Sequence, residues 1–153
     1  NMRKIILLLS IFLLINTSCE KDDFCIKNPI TESLVINFYD DSSKETLKNV
    51  KNLYVWAEGK TDSLYINQTI NTITLPLNSI ATETIYNFSK ENVVNQFKIT
   101  YTPKDEYVSR SCGFKVIFND VTFSSDNTWI IDFTPETLTT IENQDEAHVQ
   151  IFH

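Results

Sequence analysis

From Ser33 onward, apolar and polar residues alternate with a period of two, the signature of strands that bury one face. "SLVINFYD" sends Leu34, Ile36 and Phe38 to one side and Val35, Asn37 and Tyr39 to the other. "NLYVWAEG" sets Leu53, Val55 and Ala57 against Tyr54, Trp56 and Glu58. "NQFKITYTP" sets Phe97, Ile99 and Tyr101 against Lys98 and Thr100, and "GFKVIFNDVTF" sets Phe114, Val116 and Phe118 against Lys115, Ile117 and Asn119. "TWIIDFTP" contributes Trp129, Ile131 and Phe133, and "AHVQIF" contributes Val149 and Ile151. "DSLYIN", "NTITLPLN" and "ETIYNFS" are shorter runs of the same kind. Pro76 in "TLPL" marks an edge or a strand end, because proline cannot donate to a ladder. The pattern predicts an all-β fold of about eight or nine strands, an antiparallel β-sandwich of immunoglobulin-like or transthyretin-like kind.

Turn chemistry supports this spacing. The chain has only two glycines, Gly59 and Gly113, so Asn, Asp, Ser and Pro must make most of the turns. "FYDDSSKE", "INQTIN", "FSSDNT" and "TPKDEY" have that composition. "NSIATETIYNFSKENVV" is the one stretch with helical potential, but its Thr and Ile content favours strand, with at most a turn or two of helix.

The first eighteen residues break the pattern. Arg3 and Lys4 precede an apolar run from Ile5 to Ile15, and the natural start is expected at Met2. A spanning helix needs roughly 20 apolar residues, so this run has the length of a signal peptide core. Small residues Thr17 and Ser18 then lead to Cys19. The segment Ile15 to Cys19 resembles the lipobox of bacterial lipoproteins, in which the cysteine carries diacylglycerol and becomes the first mature residue. It departs from that pattern at Asn16, where an aliphatic residue is usual. The alternative is a cleaved secretory signal that leaves Cys19 an ordinary thiol. "EKDD", Glu20 to Asp23, resembles the acidic signal that directs some Bacteroidota-type lipoproteins to the outer face of the outer membrane.

Three cysteines are an odd count for an exported chain. With Cys19 lipidated, Cys25 and Cys112 remain as an even pair in an oxidising compartment, and a disulfide between them is expected. The alternative is two free thiols. Metal binding finds little support, since no C-x-x-C occurs and the only histidines are His148 and His153. The expected organisation is a signal peptide over 1–18, a lipidated acidic tether over 19–30 and a single β-sandwich domain over 31–153.

Charge narrows the partners. Without Arg3 and Lys4, 11 basic residues face 20 acidic ones, a net charge of −9. That balance argues against nucleic acid and against electrostatic docking on anionic headgroups. No nucleophile elbow, zinc-protease helix, dinucleotide fingerprint or phosphate loop occurs. The acidic pairs Asp22-Asp23, Asp40-Asp41 and Asp105-Glu106 lie in tether or turn segments, where solvated carboxylates are the expectation and calcium the alternative. No cofactor is expected. Tyr54 and Trp56 share a strand face, with Tyr65 and Tyr86 as possible neighbours. If exposed, that face would stack sugar rings or anchor a protein. Burial against the second sheet is the plainer expectation. Arg110, the only arginine outside the leader, is read either as a fork for a carboxylate or phosphate or, more plainly, as the partner of Asp105 or Glu106.

A wider resemblance covers nearly all of the mature chain. Its elements are the two cysteines near the mature start, "INFYD", "VWAEGKTDSLY", "LPLN", "YTPKDEYVSRSCGFKVIF" and "AHVQIFH". Together they resemble an uncharacterised family of small Bacteroidota-type outer-membrane lipoproteins. "YVSRSCGFKVIF" is the most specific part. The resemblance implies no activity; it implies a companion of an outer-membrane β-barrel. The functional expectation is a non-catalytic membrane-anchored interaction module, lipid-anchored in the outer membrane of a Gram-negative bacterium and working with an outer-membrane β-barrel protein or lipoprotein. A carbohydrate-binding surface lipoprotein of a nutrient uptake system is the alternative, and a hydrolase is a distant third.

Overall fold

The computed structural model describes Cys25 and residues 30–153. The expected signal peptide, Cys19, Asp22-Asp23 and most of the tether lie outside the described residues. What is described is all-β, with ten strands in two sheets. They are β1 (Leu34–Tyr39), β2 (Val50–Ala57), β3 (Ser63–Ile70), β4 (Thr72–Leu75), β5 (Glu83–Lys90), β6 (Val93–Ser109), β7 (Gly113–Ser125), β8 (Asp132–Thr134), β9 (Thr137–Ile141) and β10 (Val149–Phe152). One sheet has the order β4-β1-β10-β8 and the other β3-β2-β5-β6-β7-β9. The strand that the period-two reading lacks is β9. Its sequence "TLTTI" offers only Leu138 and Ile141 as apolar positions, too few to stand out from a loop.

The alternation places the core as anticipated in β1, β2 and β6, but Phe114 and Ile131 are exposed while Ile117 and Ile130 are buried in their stead. Leu34, Ile36 and Phe38 of β1 are fully buried, as are Leu53 and Val55 of β2 and Phe97 and Ile99 of β6. The two inner faces meet through aromatic rings. Phe38 of the smaller sheet stands edge-on to Phe88 of the larger, with centroids 6.4 Å apart, and Phe133 stands edge-on to Phe97 at 5.5 Å. Phe97 also stacks on Phe88 and Phe123. Burying such rings is the main stabilising term, about 25 cal/mol per Å² of apolar surface removed from water. Inward-facing polar atoms find partners: Trp129 Nε1 donates to the Phe88 carbonyl at 2.9 Å, and Tyr101 Oη donates to the Asn78 carbonyl at 2.7 Å.

Antiparallel pairing dominates, with one exception. β1 and β10 lie side by side and parallel, with Ile36 opposite Val149 and Phe38 opposite Ile151. Parallel neighbours need a long connection, and here the rest of the fold supplies it. Positive φ falls on polar residues: Asn52, Asn67 and Asp120 within strands, and Glu91, Asn92 and Asn127 in connections. Glu91 and Asn92 form the two-residue link between β5 and β6, where Lys90 pairs with Val93. Positive φ at both link positions matches the primed turn that suits the right-handed twist of a hairpin. The segment with helical potential is therefore a turn over 78–82, strand β5, the β5–β6 turn and the start of β6.

β6 and β7 outrun their neighbours. β5 pairs with β6 only as far as Thr100, and β9 begins its pairing with β7 at Phe118. Beyond those points Lys104–Ser109 and Gly113–Ile117 continue as a two-stranded ribbon. Its base is propped by Thr31, whose Oγ1 accepts the Val116 N–H at 3.3 Å, and by Lys115, which donates to the Glu142 carbonyl at 3.0 Å.

Candidate interaction surface

Strand alternation turns Tyr54 and Trp56 away from the core, because Leu53 and Val55 between and beside them are fully buried. Tyr54 is 38% exposed and Trp56 is half-buried. The expected burial of this face against the second sheet does not occur. The second sheet covers the opposite face, so β2 presents its aromatic side outward.

The neighbours of these two residues follow from register. Trp56 lies opposite Asn87 of β5, and Asn87 opposite Gln96 of β6. Tyr54 lies opposite Ser89, and Ser89 opposite Val94. Asn87 and Ser89 are buried although they face outward, so the flanking side chains close over them. The Asn87 amide donates to Glu58 Oε2 at 2.6 Å, and Gln96 donates to the same oxygen at 3.3 Å. On the far side, edge strand β3 carries Leu64 and Ile66 exposed, Ile66 at 61%. Between them Tyr65 points inward, its hydroxyl bonded to the Thr74 backbone. The result is an apolar and aromatic band of Leu64, Ile66, Tyr54 and Trp56 on β3 and β2, beside a polar strip of Glu58, Asn87, Ser89 and Gln96, with exposed Val94 beyond Ser89. A shallow depression of about 270 Å³ adjoins it, lined by Ile85, Gln96, Lys98, Ser124, Ser125 and Asp126.

Paired bulges shape the edge. Asn52 and Asn67 both adopt positive φ on adjacent strands, and the Asn52 amide donates to Asn67 Oδ1 at 2.7 Å. The β2–β3 register shifts around them. Bulges bend and twist an edge strand, which discourages continuous pairing with another sheet. Contact at this face is thereby directed to side chains rather than to the open backbone edge.

The other residues singled out from the sequence lie elsewhere. Tyr86 faces the core, its hydroxyl donates to the Pro76 carbonyl, and burial pushes its pKa up to about 12. Neither Tyr65 nor Tyr86 joins the band. Cys25 and Cys112 are disulfide-bonded, with Cα atoms 4.8 Å apart. The bridge joins the start of the described chain to the tip of the β6–β7 ribbon, where exposed Arg110 also sits. Among the described residues Arg110 makes no ion pair with Asp105 or Glu106. The hairpin register accounts for this by placing Glu106 opposite Lys115 and Asp105 opposite Val116. Asp40 accepts the Ser42 N–H at 2.8 Å in a solvated turn, and Asp41 pairs with Lys44 at 3.2 Å.

Both histidines are built into the fold. His148 Nδ1 accepts the Val35 N–H at 2.9 Å, and Nε2 donates to the Asn143 carbonyl at 2.7 Å. His153 is buried against Phe38 and Trp129, with Nδ1 3.1 Å from Lys90 Nζ and Nε2 3.4 Å from the Lys48 carbonyl. Burial lowers the pKa of each, so both favour the neutral ring. Their ring nitrogens are spent on holding β1, β10 and the adjoining loops.

The pattern of "DSLYIN" already contained Leu64 and Ile66 opposite Tyr65, but only knowledge of what covers β2 makes them part of a surface. Val94 was hidden in the stretch with helical potential. A family model described as a family of unknown function, DUF6452, matches residues 52–153. No curated protein and no solved structure matches the chain.

Proposed function

The chain belongs to the DUF6452 family of unknown function, and for it we propose a non-catalytic role as a lipid-anchored interaction module of the Gram-negative outer membrane. Its partner is an outer-membrane β-barrel protein or a neighbouring lipoprotein, held by the outer face of the six-stranded sheet. The observation that carries this reading is the exposed band of Tyr54, Leu64 and Ile66 beside Trp56. Tyrosine and tryptophan dominate binding energy at protein interfaces, and contiguous exposed apolar surface marks contact sites. The lipobox-like segment ending at Cys19 supports the anchor. Two or three acyl chains, at about 0.8 kcal/mol per buried methylene, would hold the domain on the membrane. Confinement to that surface raises the effective concentration of any partner in the same membrane.

The structural use of both histidines supports a binding role over hydrolysis. One observation favours a second reading, carbohydrate capture: Trp56 pairs across the strands with Asn87, which shares the Glu58 carboxylate with Gln96. Aromatic faces flanked by amides and carboxylates suit sugar rings and their hydroxyls.

The test is site-directed photo-crosslinking in intact membranes. Probes at Tyr54 and Ile66 should capture one membrane protein that a probe at exposed Ile131 does not. A chain that stays uncrosslinked from all three positions overturns the protein-docking reading. Glycan binding that is lost on Trp56→Ala would replace it with the second. Release of Cys19→Ala protein from sedimented membranes tests the anchor independently.

A further inference from the structure

We propose that the tip of the β6–β7 ribbon, through Tyr107 and Phe114, rests on the lipid surface and sets the orientation of the domain. The proposal deepens the anchored reading above and rests on lipidation of Cys19.

Tyr107 and Phe114 lie opposite each other in the ribbon and pack edge to face, with ring centroids 5.5 Å apart. They are nonetheless 61% and 63% exposed, and neither ring is part of the sandwich core. An aromatic pair held rigidly outside the core, on a projecting ribbon, has its apolar surface free for another phase. The two-stranded part runs from Lys104 opposite Ile117 to Ser109 opposite Gly113, and its five steps rise about 17 Å.

Covalent connectivity says which phase that is. Cys112 is two residues from Phe114 and is bonded to Cys25. Cys25 is six residues from Cys19, and a fully extended chain covers at most about 3.6 Å per residue, so the Cα of Cys25 cannot lie more than about 22 Å from that of Cys19. The disulfide thus ties the ribbon tip, rather than the sandwich, to the lipid. Thr31, at the ribbon's base, is twelve residues from Cys19, against six for Cys25.

The chemistry of the tip suits the boundary between acyl chains and headgroups. Tyrosine and phenylalanine bring apolar rings with one polar tip, the pattern found at membrane interfaces. The charges flanking them nearly balance: Lys104, Arg110 and Lys115 against Asp105 and Glu106, with Lys115 also 3.8 Å from Glu32. Contact is therefore apolar, with no demand for anionic lipid, in keeping with the acidic charge of the whole chain. With the tip down, Tyr54 and Trp56 on the sheet's outer face stay clear of the lipid for a partner in the same membrane.

The test uses the lipidated full-length protein in vesicles of phosphatidylcholine, with or without bromine on the acyl chains near the headgroup. Tryptophan emission is read for wild type, Phe114→Trp and Tyr54→Trp, with circular dichroism and sedimentation on each. Phe114→Trp should lose its added emission in brominated vesicles, and Tyr54→Trp should not. Vesicle-bound protein whose Phe114→Trp emission is unaffected by bromine overturns the tip contact and leaves the anchor standing. A concentration-dependent shift without bromine quenching overturns it in favour of a second copy. Wild-type protein that fails to sediment with vesicles removes the anchor, and the proposal with it.

Discussion

Cys25 and Cys112 are bonded across 87 positions of sequence, joining the entry of the domain to the tip of its longest hairpin. A loop of that length loses much conformational freedom in the unfolded chain when closed, roughly 4.5 kcal/mol by the chain-entropy account. Cys112→Ser, or full reduction, should lower Tm by roughly 10 °C or more. Identical melts with and without reductant would mean that the bridge tethers an already independent unit.

Asn95 offers a sharper test of the interior. It is fully buried opposite Phe88, and its Oδ1 accepts the Thr128 N–H at 2.7 Å and the Ile130 N–H at 3.4 Å. Its amide donates to Ser125 Oγ at 2.8 Å and to the Gln96 carbonyl at 3.0 Å. Asn95→Ala leaves the loop between β7 and β8 without these partners. The expected loss is about 2–3 kcal/mol, from unsatisfied donors more than from lost volume. Urea denaturation should show a lower midpoint at unchanged slope.

Stability should fall on mild acidification because of the two histidines. Burial, ahead of every other influence, lowers both pKa values below the ordinary 6.5. The Asn143 carbonyl and Glu32 oppose this at His148. The Lys48 carbonyl and Asp40 oppose it at His153, while the Lys90 and Lys48 charges reinforce it. The unfolded chain then binds protons that the folded chain refuses. The contribution is complete above the unfolded value and is lost as pH drops toward the folded ones, at no more than about 1.4 kcal/mol per pH unit per histidine. Unfolding free energy measured at pH 8, 6 and 5 should decline, and His148→Gln should shrink the decline. A flat profile in wild type would contradict the buried neutral rings.

Substitution on the outer face should separate binding from folding. Tyr54→Ala with Ile66→Asp removes exposed apolar surface that no core residue needs. The double variant should keep its unfolding free energy within about 1 kcal/mol of wild type. Its capture of the membrane protein proposed as partner should drop by tenfold or more, as loss of an interface anchor residue does. Undiminished capture would place the contact elsewhere.

The strands and most of the core were legible because side-chain alternation is a local property of extended backbone. Leu34, Ile36, Phe38, Phe97 and Ile99 declare their side by spacing alone. β9 was not legible, since Thr-rich "TLTTI" has its place only through pairing with β7. The buried role of Asn95 was equally hidden. An Asn that begins a strand looks like turn chemistry until Thr128 and Ile130 arrive from a segment more than thirty residues away.

The sequence by itself determined which residues could share a face, since that follows from covalent geometry repeated every two residues. Only the tertiary structure decided which faces are covered. Tyr54 and Trp56 share a side by alternation, but their exposure depends on the smaller sheet packing against the opposite side. The parallel pairing of β1 with β10 and the reach of the ribbon beyond β5 and β9 have the same origin. They are set by contacts between segments far apart in the chain, and no local pattern encodes which distant strand arrives.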